Sequence, residues 1–381
     1  MEEQDHRTPG QLIRKLLEDR GWTQRVFAVV WGVTEQTANL TVQGKRDVSA
    51  EDALALGAIF GVEPERFMDL QKRYELARAR MLAQEADTTR IAQRAALLGS
   101  LPVMEMMRRG WLETVDIRKV GTVESALCRF FGAEHPEDVE FLPHAAKKTQ
   151  VSSAATPAQL AWLYRVRQIA AEMLIPKYAP GGASSAVARL KSLLSDPELT
   201  KQVPRILAES GIRYVVVESL PAAKIDGVCF WLDDTAPVIG MSLRFDRNDN
   251  FWFVLRHELE HVAQEHGRAV VMLDAELEGV RAGVGQAVAD EERVANAAAS
   301  DFCVPTTKMD QFIARKAPFF AERDILGFAR TLKIHPGIVA GQLQHRTGRY
   351  DRFRNHQVKV RSIVAPSAYH DGWGDIYPVG E

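Results

Sequence analysis

At 381 residues, with 46% hydrophobic and 26% charged positions, the chain has the composition of a soluble globular protein of two or three domains. A formal net charge of −2 excludes a uniformly basic coat for nucleic acid, yet leaves room for one small DNA-reading domain. No apolar run approaches the ~18–20 residues that span a bilayer, so no membrane partner is expected. Cys128, Cys229 and Cys303 are odd in number, far apart and form no CxxC pair, which fits buried, reduced thiols better than a disulfide framework or zinc ligands. The N-terminus, Met-Glu-Glu-Gln-Asp-His, is acidic and polar and shows no secretory signal. The expected location is therefore the cytoplasm.

Residues 9–70 read as a compact helical unit. Gln11–Arg20 forms a first amphipathic helix with Leu12, Leu16 and Leu17 facing inward, and Gly21 ends it. Thr23 caps a second helix, Gln24–Trp31. Gly32-Val33 turns the chain, and Thr34 caps a third helix, Glu35–Gln43, which Gly44 ends. Ser49 begins a fourth, running to Phe60 before Gly61. Ala28, Val33 and Leu40 stand where a helix-turn-helix needs a small residue, a turn hydrophobe and a core residue. The helix from Glu35 is then the recognition helix. It offers Gln36, Thr37, Asn39, Thr41 and Gln43; Gln and Asn suit adenine edges, while Lys45 and Arg46 suit phosphates. The plainer reading is a helical protein-docking domain.

This segment resembles the XRE-type helix-turn-helix, and within it the HigA antitoxin group. Trp22-Thr23-Gln24, Gly32-Val33-Thr34-Glu35-Gln36-Thr37, Gly44-Lys45-Arg46 and Ser49-Ala50-Glu51 carry the resemblance, with the apolar helix through Phe67. It implies binding of an operator in double-stranded DNA, by a homodimer. The absence of arginine from the recognition helix departs from the pattern.

Residues 71–190 are mostly helical and carry little chemistry. Tyr74–Ala86, Val123–Phe131 and Ala158–Met173 have helical periods, and Arg108-Arg109-Gly110-Trp111 reads as a helix end and turn. Trp162, Tyr164 and Arg165 at helical spacing read as core and surface rather than a stacking platform for nucleic acid. Pro176–Ser185, rich in Gly, Pro and Ser, marks a hinge or boundary.

Beyond it the pattern changes. Ile212–Glu218 is a β-branched run read as a strand, and Asp226-Gly227 is a turn signal. Val228–Leu232 and Ala236–Leu243 flank Asp233-Asp234-Thr235 as a hairpin. There follows Phe251-Trp-Phe-Val-Leu-Arg-His257-Glu258-Leu-Glu260-His261-Val-Ala-Gln-Glu-His266-Gly267. On a helix, residues four apart share a face, so His257 and His261 point at one spot and can hold one zinc ion. Glu258 then reaches water at that ion, and Gly267 is a candidate C-cap. Two ordinary histidines are the plainer reading, and His266 lies off the stripe.

Two histidines leave a catalytic zinc one protein ligand short. Glu292 is a candidate, because it shares a helical stripe with Ala295, Ala299 and Phe302; Glu291 competes from a different face. Alone, both read as an acidic helix start favoured by the dipole. Taken together, the strand, the hairpin, Asp249-Asn-Phe251-Trp-Phe253, His257-Glu-x-x-His261, Glu292-x-x-Ala295-Asn296 and Pro305 resemble the ImmA/IrrE family of zinc-dependent metallopeptidases. The resemblance covers roughly residues 190–310. It implies Zn2+ held by His257, His261 and Glu292, with Glu258 as catalytic base. Glu260, where the family has a small residue, and Ala298, where it has Phe, depart from the pattern. Arg244, Arg247 and Tyr350 are candidates for stabilising the oxyanion, and the strand near Val238–Leu243 for pairing with a substrate peptide.

The expected fold is α+β and mostly helical. Residues 1–75 form a helix-turn-helix bundle, 76–185 a helical linker or regulatory region able to cover the cleft, and 186–310 a small zincin-like metallopeptidase domain. That domain has a short antiparallel sheet and the HExxH helix. Residues 311–381 form a C-terminal helical unit, with a helix-turn-helix-like pattern over Ile325–Gln344, a basic segment and a loose tail from Gly372. The expected function is a DNA-binding transcriptional regulator with a conditional zinc endopeptidase domain. Its protein substrate is a helix-turn-helix repressor or antitoxin-like partner. The alternative is a non-catalytic HigA-like antitoxin or repressor, partnered by a toxin, whose metal site is structural or a sensor.

Overall fold

The computed structural model describes residues 7–82, 101–113, 119–135, 155–268, 271–275 and 290–378, with a few isolated positions between 91 and 138. The chain divides into two compact units, Met1–Gln93 and Arg94–Glu381. The first is all helical: α1 (Pro9–Arg20), α2 (Gln24–Trp31), α3 (Glu35–Val42), α4 (Ala50–Phe60) and α5 (Pro64–Leu82). Their ends follow from side chains that satisfy the first-turn N–H groups. Thr8, Thr23, Thr34 and Ser49 each accept from a backbone N–H, and Asp52 completes a capping box with Ser49. Ile13, Phe27, Ala38, Leu56 and Phe67 close one core under these helices.

The second unit is built on a mixed five-stranded sheet in the order β4-β2-β3-β1-β5. The strands are β1 (Arg213–Val217), β2 (Ile225–Trp231), β3 (Pro237–Met241), β4 (Met272–Ala275) and β5 (Tyr369–Asp371). The expected antiparallel sheet is thus corrected. The hairpin β2–β3 is antiparallel, but β3 inserts between its mate and β1, and runs parallel to β1. β3 is paired on both sides, so the segment Val238–Leu243 is no edge for an added peptide. Asp226-Gly227 is not a turn either: it lies in β2, at an irregularity in the pairing with β4.

Strand alternation loads both faces of the sheet. Tyr214, Val216, Cys229, Ile239 and Met241 face a core shared with the Asn248–Ala263, Asp290–Cys303 and Pro336–Thr347 helices. Val215, Val217, Val228, Phe230 and Val238 face the Val103–Arg108, Val120–Phe131 and Pro157–Glu172 helices. The Pro157–Glu172 helix therefore backs the sheet on the face away from the Asn248–Ala263 helix and does not cover a cleft there. Trp162 is fully buried and its indole donates to the Val217 carbonyl at 2.9 Å.

The described tail residues are packed. β5 pairs with β1, and Asp371 accepts from the Trp111 indole at 2.6 Å and from the Arg165 guanidinium at 2.5 and 3.1 Å. Arg165 also donates to the Tyr377 carbonyl at 2.6 Å. The Glu322–Leu332 and Pro336–Thr347 helices form the paired unit read near the C-terminus, joined through Lys333 in the left-handed region. No described helix is long and apolar enough to cross a membrane.

Arg165 and Asp371 are 4% and 0% exposed, so removing one partner leaves a buried, uncompensated charge. Arg165→Met is expected to lower unfolding stability by about 3–5 kcal/mol, whereas a paired Arg165→Met, Asp371→Leu change recovers much of that. Denaturant titration of the three proteins measures the difference.

Candidate metal centre

The Asn248–Ala263 helix is buried on most of its surface. Phe251, Trp252, Val254, Leu255, Leu259 and Val262 are buried, and so are His257, Glu258 and His261. Its start is tied down by Asp249, which accepts both arms of the Arg247 guanidinium. Burial pushes the Asp249 carboxyl up, against the pull of Arg247. Gly341 makes room for that carboxylate, since a Cβ there would lie 1.9 Å from its Oδ2.

The imidazoles of His257 and His261 meet with their Nε2 atoms 3.0 Å apart. Glu292, on the Asp290–Cys303 helix, brings one carboxylate oxygen to 3.4 Å from His257 Nε2 and the other to 3.4 Å from His261 Nε2. Donors ~2.0–2.1 Å from one tetrahedral ion stand about 3.3–3.4 Å from each other; the two His–Glu spacings match this and the His–His spacing is somewhat shorter. The three residues form a group able to hold a metal. Glu291 is exposed on the neighbouring face.

Glu258 points from the same helix at the sheet. A Cβ on Gly227 would lie 2.0 Å from its Oε1, so the Asp-Gly pair in β2 serves the site. Gly227 leaves space for the carboxylate, and Asp226 accepts Arg244 at 2.9 and 3.2 Å. Arg244 and Arg247 are each engaged by a carboxylate, and the Tyr350 hydroxyl lies 3.3 Å from His345 Nδ1. Glu260 turns to its own helix: burial alone would raise its carboxyl, but hydrogen bonds from Gln264 and Arg256 outweigh this and hold it below its ordinary value. The helix ends at Ala263, before Gly267, and His266 returns to within 3.0 Å of His261 Nδ1. A cavity of about 250 Å³ opens one turn back, lined by Phe253, Ala297, Cys303 and Ile338, with the Phe253 ring beside His257. Sequence reading missed Gly227 and set His266 aside; both depend on what the strand and the helix stop bring near, which spacing along one helix does not contain.

In the first unit, Gln36 and Lys45 are exposed and Thr37 and Asn39 half-buried. The Thr37 hydroxyl lies 2.9 Å from that of Thr34, and Asn39 accepts from Gln43 at 2.7 Å. Thr41 is buried and bonds the Thr37 carbonyl, so it is withdrawn from the recognition surface. Arg46 is committed within the unit. It donates to Thr41 and Asp52, at 3.2 Å in each case, and lies over the Trp31 ring. Burial would raise the Asp52 carboxyl, but the Ser49 N–H, Arg46 and the Ser49 hydroxyl together lower it.

No protein-family model matches the chain. Over 75 residues in the N-terminal fifth it is 29% identical to YddM of Escherichia coli (strain K12), an uncharacterized HTH-type transcriptional regulator, covering 20% of this chain and 80% of that protein. The similarity falls on the helical unit and supports a helix-turn-helix domain there.

Two measurements follow from these geometries. Purified protein is expected to carry one metal ion per chain; His257→Ala and Glu292→Ala lose most of it, and Glu258→Gln and Glu291→Ala keep it. Elemental analysis showing full metal in the His257→Ala, His261→Ala double variant sinks the assignment. On DNA, Lys45→Ala is expected to weaken binding to all sequences and lower the salt slope by about 1, while Gln36→Ala or Asn39→Ala relaxes sequence choice. Arg46→Ala acts differently: it lowers the melting temperature, because its partners are inside the fold.

Proposed function

We propose that the chain is a DNA-binding transcriptional regulator whose second unit is a zinc-dependent endopeptidase of the ImmA/IrrE kind, acting on a helix-turn-helix repressor or an antitoxin-like partner. One observation carries the enzymatic reading: three metal donors converge beside a buried glutamate that is not one of them. His257, His261 and Glu292 would hold the ion, and zinc so bound supplies a Lewis acid and a source of hydroxide near neutral pH. Glu258 takes the proton of the attacking water on a carboxylate oxygen and hands it to the nitrogen of the leaving amine. Gly227 keeps that carboxylate close against β2. β4 pairs with β2 next to Gly227 and, among the described residues, lies at the end of the sheet order, so a peptide adds along β4 rather than along β3. The cavity beside Phe253 gives an apolar side chain of that peptide a place to bury.

The regulatory half rests on the similarity to an HTH-type regulator. The first unit then binds an operator as a homodimer on an inverted repeat, in the cytoplasm. That same similarity favours a second reading, a non-catalytic HigA-like antitoxin or repressor, partnered by a toxin, with a structural or sensing metal site.

The test incubates zinc-loaded chain with the products of neighbouring genes and analyses them by mass spectrometry. Discrete fragments of one regulator are expected with wild type, none with Glu258→Gln, and little digestion of casein. Equal fragments with Glu258→Gln assign the cutting to another protease. Persistent DNA binding with no partner cut moves the conclusion to the second reading.

A further inference from the structure

We infer that His266 is a positioning residue of the metal centre: it fixes the tautomer and ring plane of His261, and so aims the lone pair that His261 offers. The inference rests on the metal-centre reading above and adds a residue to it.

The helix stop delivers His266 to this place. After Ala263 the chain enters the left-handed region at Glu265, with φ 58°. The His266 N–H then bonds the His261 carbonyl at 2.8 Å, and the Glu265 N–H bonds that of Val262 at 3.1 Å. This is the Schellman pattern of a helix end, formed here without glycine at the left-handed residue. A non-glycine residue holds that conformation only where its surroundings impose it. The surroundings do so. The Trp231 indole donates to the His266 carbonyl at 2.9 Å, and Gly267 sits so close to β2 that a Cβ would lie 2.7 Å from the Cys229 carbonyl oxygen. His266 is thus held by its N–H from the helix and by its carbonyl from the sheet, and its ring lies against His261.

One arrangement of the ring contact is consistent with ligation by His261. Two neutral imidazole nitrogens 3.0 Å apart share a single proton, one donating and one accepting. His261 Nε2 faces His257 Nε2 and Glu292, so a ligating His261 carries its proton on Nδ1. His261 Nδ1 is then the donor, His266 Nδ1 the acceptor, and the His266 proton sits on Nε2. The reverse arrangement places a proton on His261 Nε2, among the very atoms that should receive the ion. An acceptor at His266 therefore selects the ligand-competent tautomer before any metal arrives. Outer partners of this type change metal affinity by about 10–100-fold.

The test uses the full chain, with zinc as the probe. His266→Ala is expected to weaken zinc binding about 10–100-fold in competition with a chromophoric chelator. His266→Asn, whose side-chain oxygen accepts from nearly the same position, is expected to recover most of the loss. Long-range nitrogen–proton spectra of the metal-free protein, labelled at histidine, should show His261 protonated on Nδ1 in wild type and as a tautomer mixture in His266→Ala. Wild-type affinity in His266→Ala overturns the inference. So does an equal loss in the Ala and Asn variants when circular dichroism shows both folded, because ring volume and not the acceptor atom then matters. A wild-type chain that takes no zinc overturns the metal reading instead. The tautomer spectra then decide the His261–His266 arrangement by themselves.

Discussion

Everything in the second unit depends on burying a polar helix between a sheet and a helical layer. The Asn248–Ala263 helix carries His257, Glu258 and His261 into the interior, where each polar atom costs free energy unless something meets it. The fold meets these demands from several elements at once. Gly227 retreats to admit Glu258, Glu292 comes across from a second helix, and Gly341 retreats to admit Asp249 with its arginine. The rest of the helix surface is aromatic and aliphatic and gives the burial its driving force, roughly 25 cal/mol per Å² of apolar area removed from water. A solvent-exposed HExxH sequence would demand none of these accommodations. Their presence on three separate elements is what distinguishes a built site from two histidines at a chance spacing.

Helices of the first unit were legible almost residue by residue, because local chemistry decides them. Thr23, Thr34 and Ser49 cap where their side chains reach a backbone N–H, and the following residues need no distant partner to choose a helix. The pairing of His257 with His261 was legible for the same reason, being a property of one helix. Glu292 was chosen over Glu291 through the stripe it shares with Ala295 and Ala299, both of which are fully buried, together with the resemblance to ImmA/IrrE peptidases. The sheet was harder. Propensity marks β1, β2 and β3 as strands, yet says nothing about β3 inserting between β2 and β1, because pairing partners are chosen by the whole core. The Asp-Gly dipeptide misled for a physical reason: what makes it good in turns, a carboxylate that bonds locally and a residue without Cβ, also makes it good where Arg244 and Glu258 crowd a strand.

The middle helices show the same limit at larger scale. Their amphipathic periods predict helices correctly, but not which surface they cover. Trp162, Val166 and Ile169 point into the sheet, and Val166 fills the space left by Gly240. Arg165 shares the helical stripe of Trp162 and Ile169, and its charge goes inside because Asp371 comes from 206 residues away to meet it. The described tail is therefore part of the core's electrostatics. The pairing of β5 with β1 and of Asp371 with Arg165 makes the second unit depend on contacts of long sequence separation.

The donor set bears on whether the metal centre is structural or catalytic. Structural zinc is usually enclosed by four protein ligands, most often thiolates, whereas catalytic zinc keeps three and leaves a position open. Here the group is two imidazoles and one carboxylate, and among the described residues no fourth ligand joins it. Two cysteines lie on elements that pack around it, Cys229 on β2 and Cys303 on the Asp290–Cys303 helix. The Cys229 thiol is directed to the His266 carbonyl at 3.9 Å, and Cys303 lines the cavity beside Phe253; neither belongs to the group. Glu258 costs desolvation and requires a strand stripped to glycine opposite it. In the proposed reading that carboxylate is the base, and its burial opposite Gly227 is the feature on which the hydrolytic proposal rests.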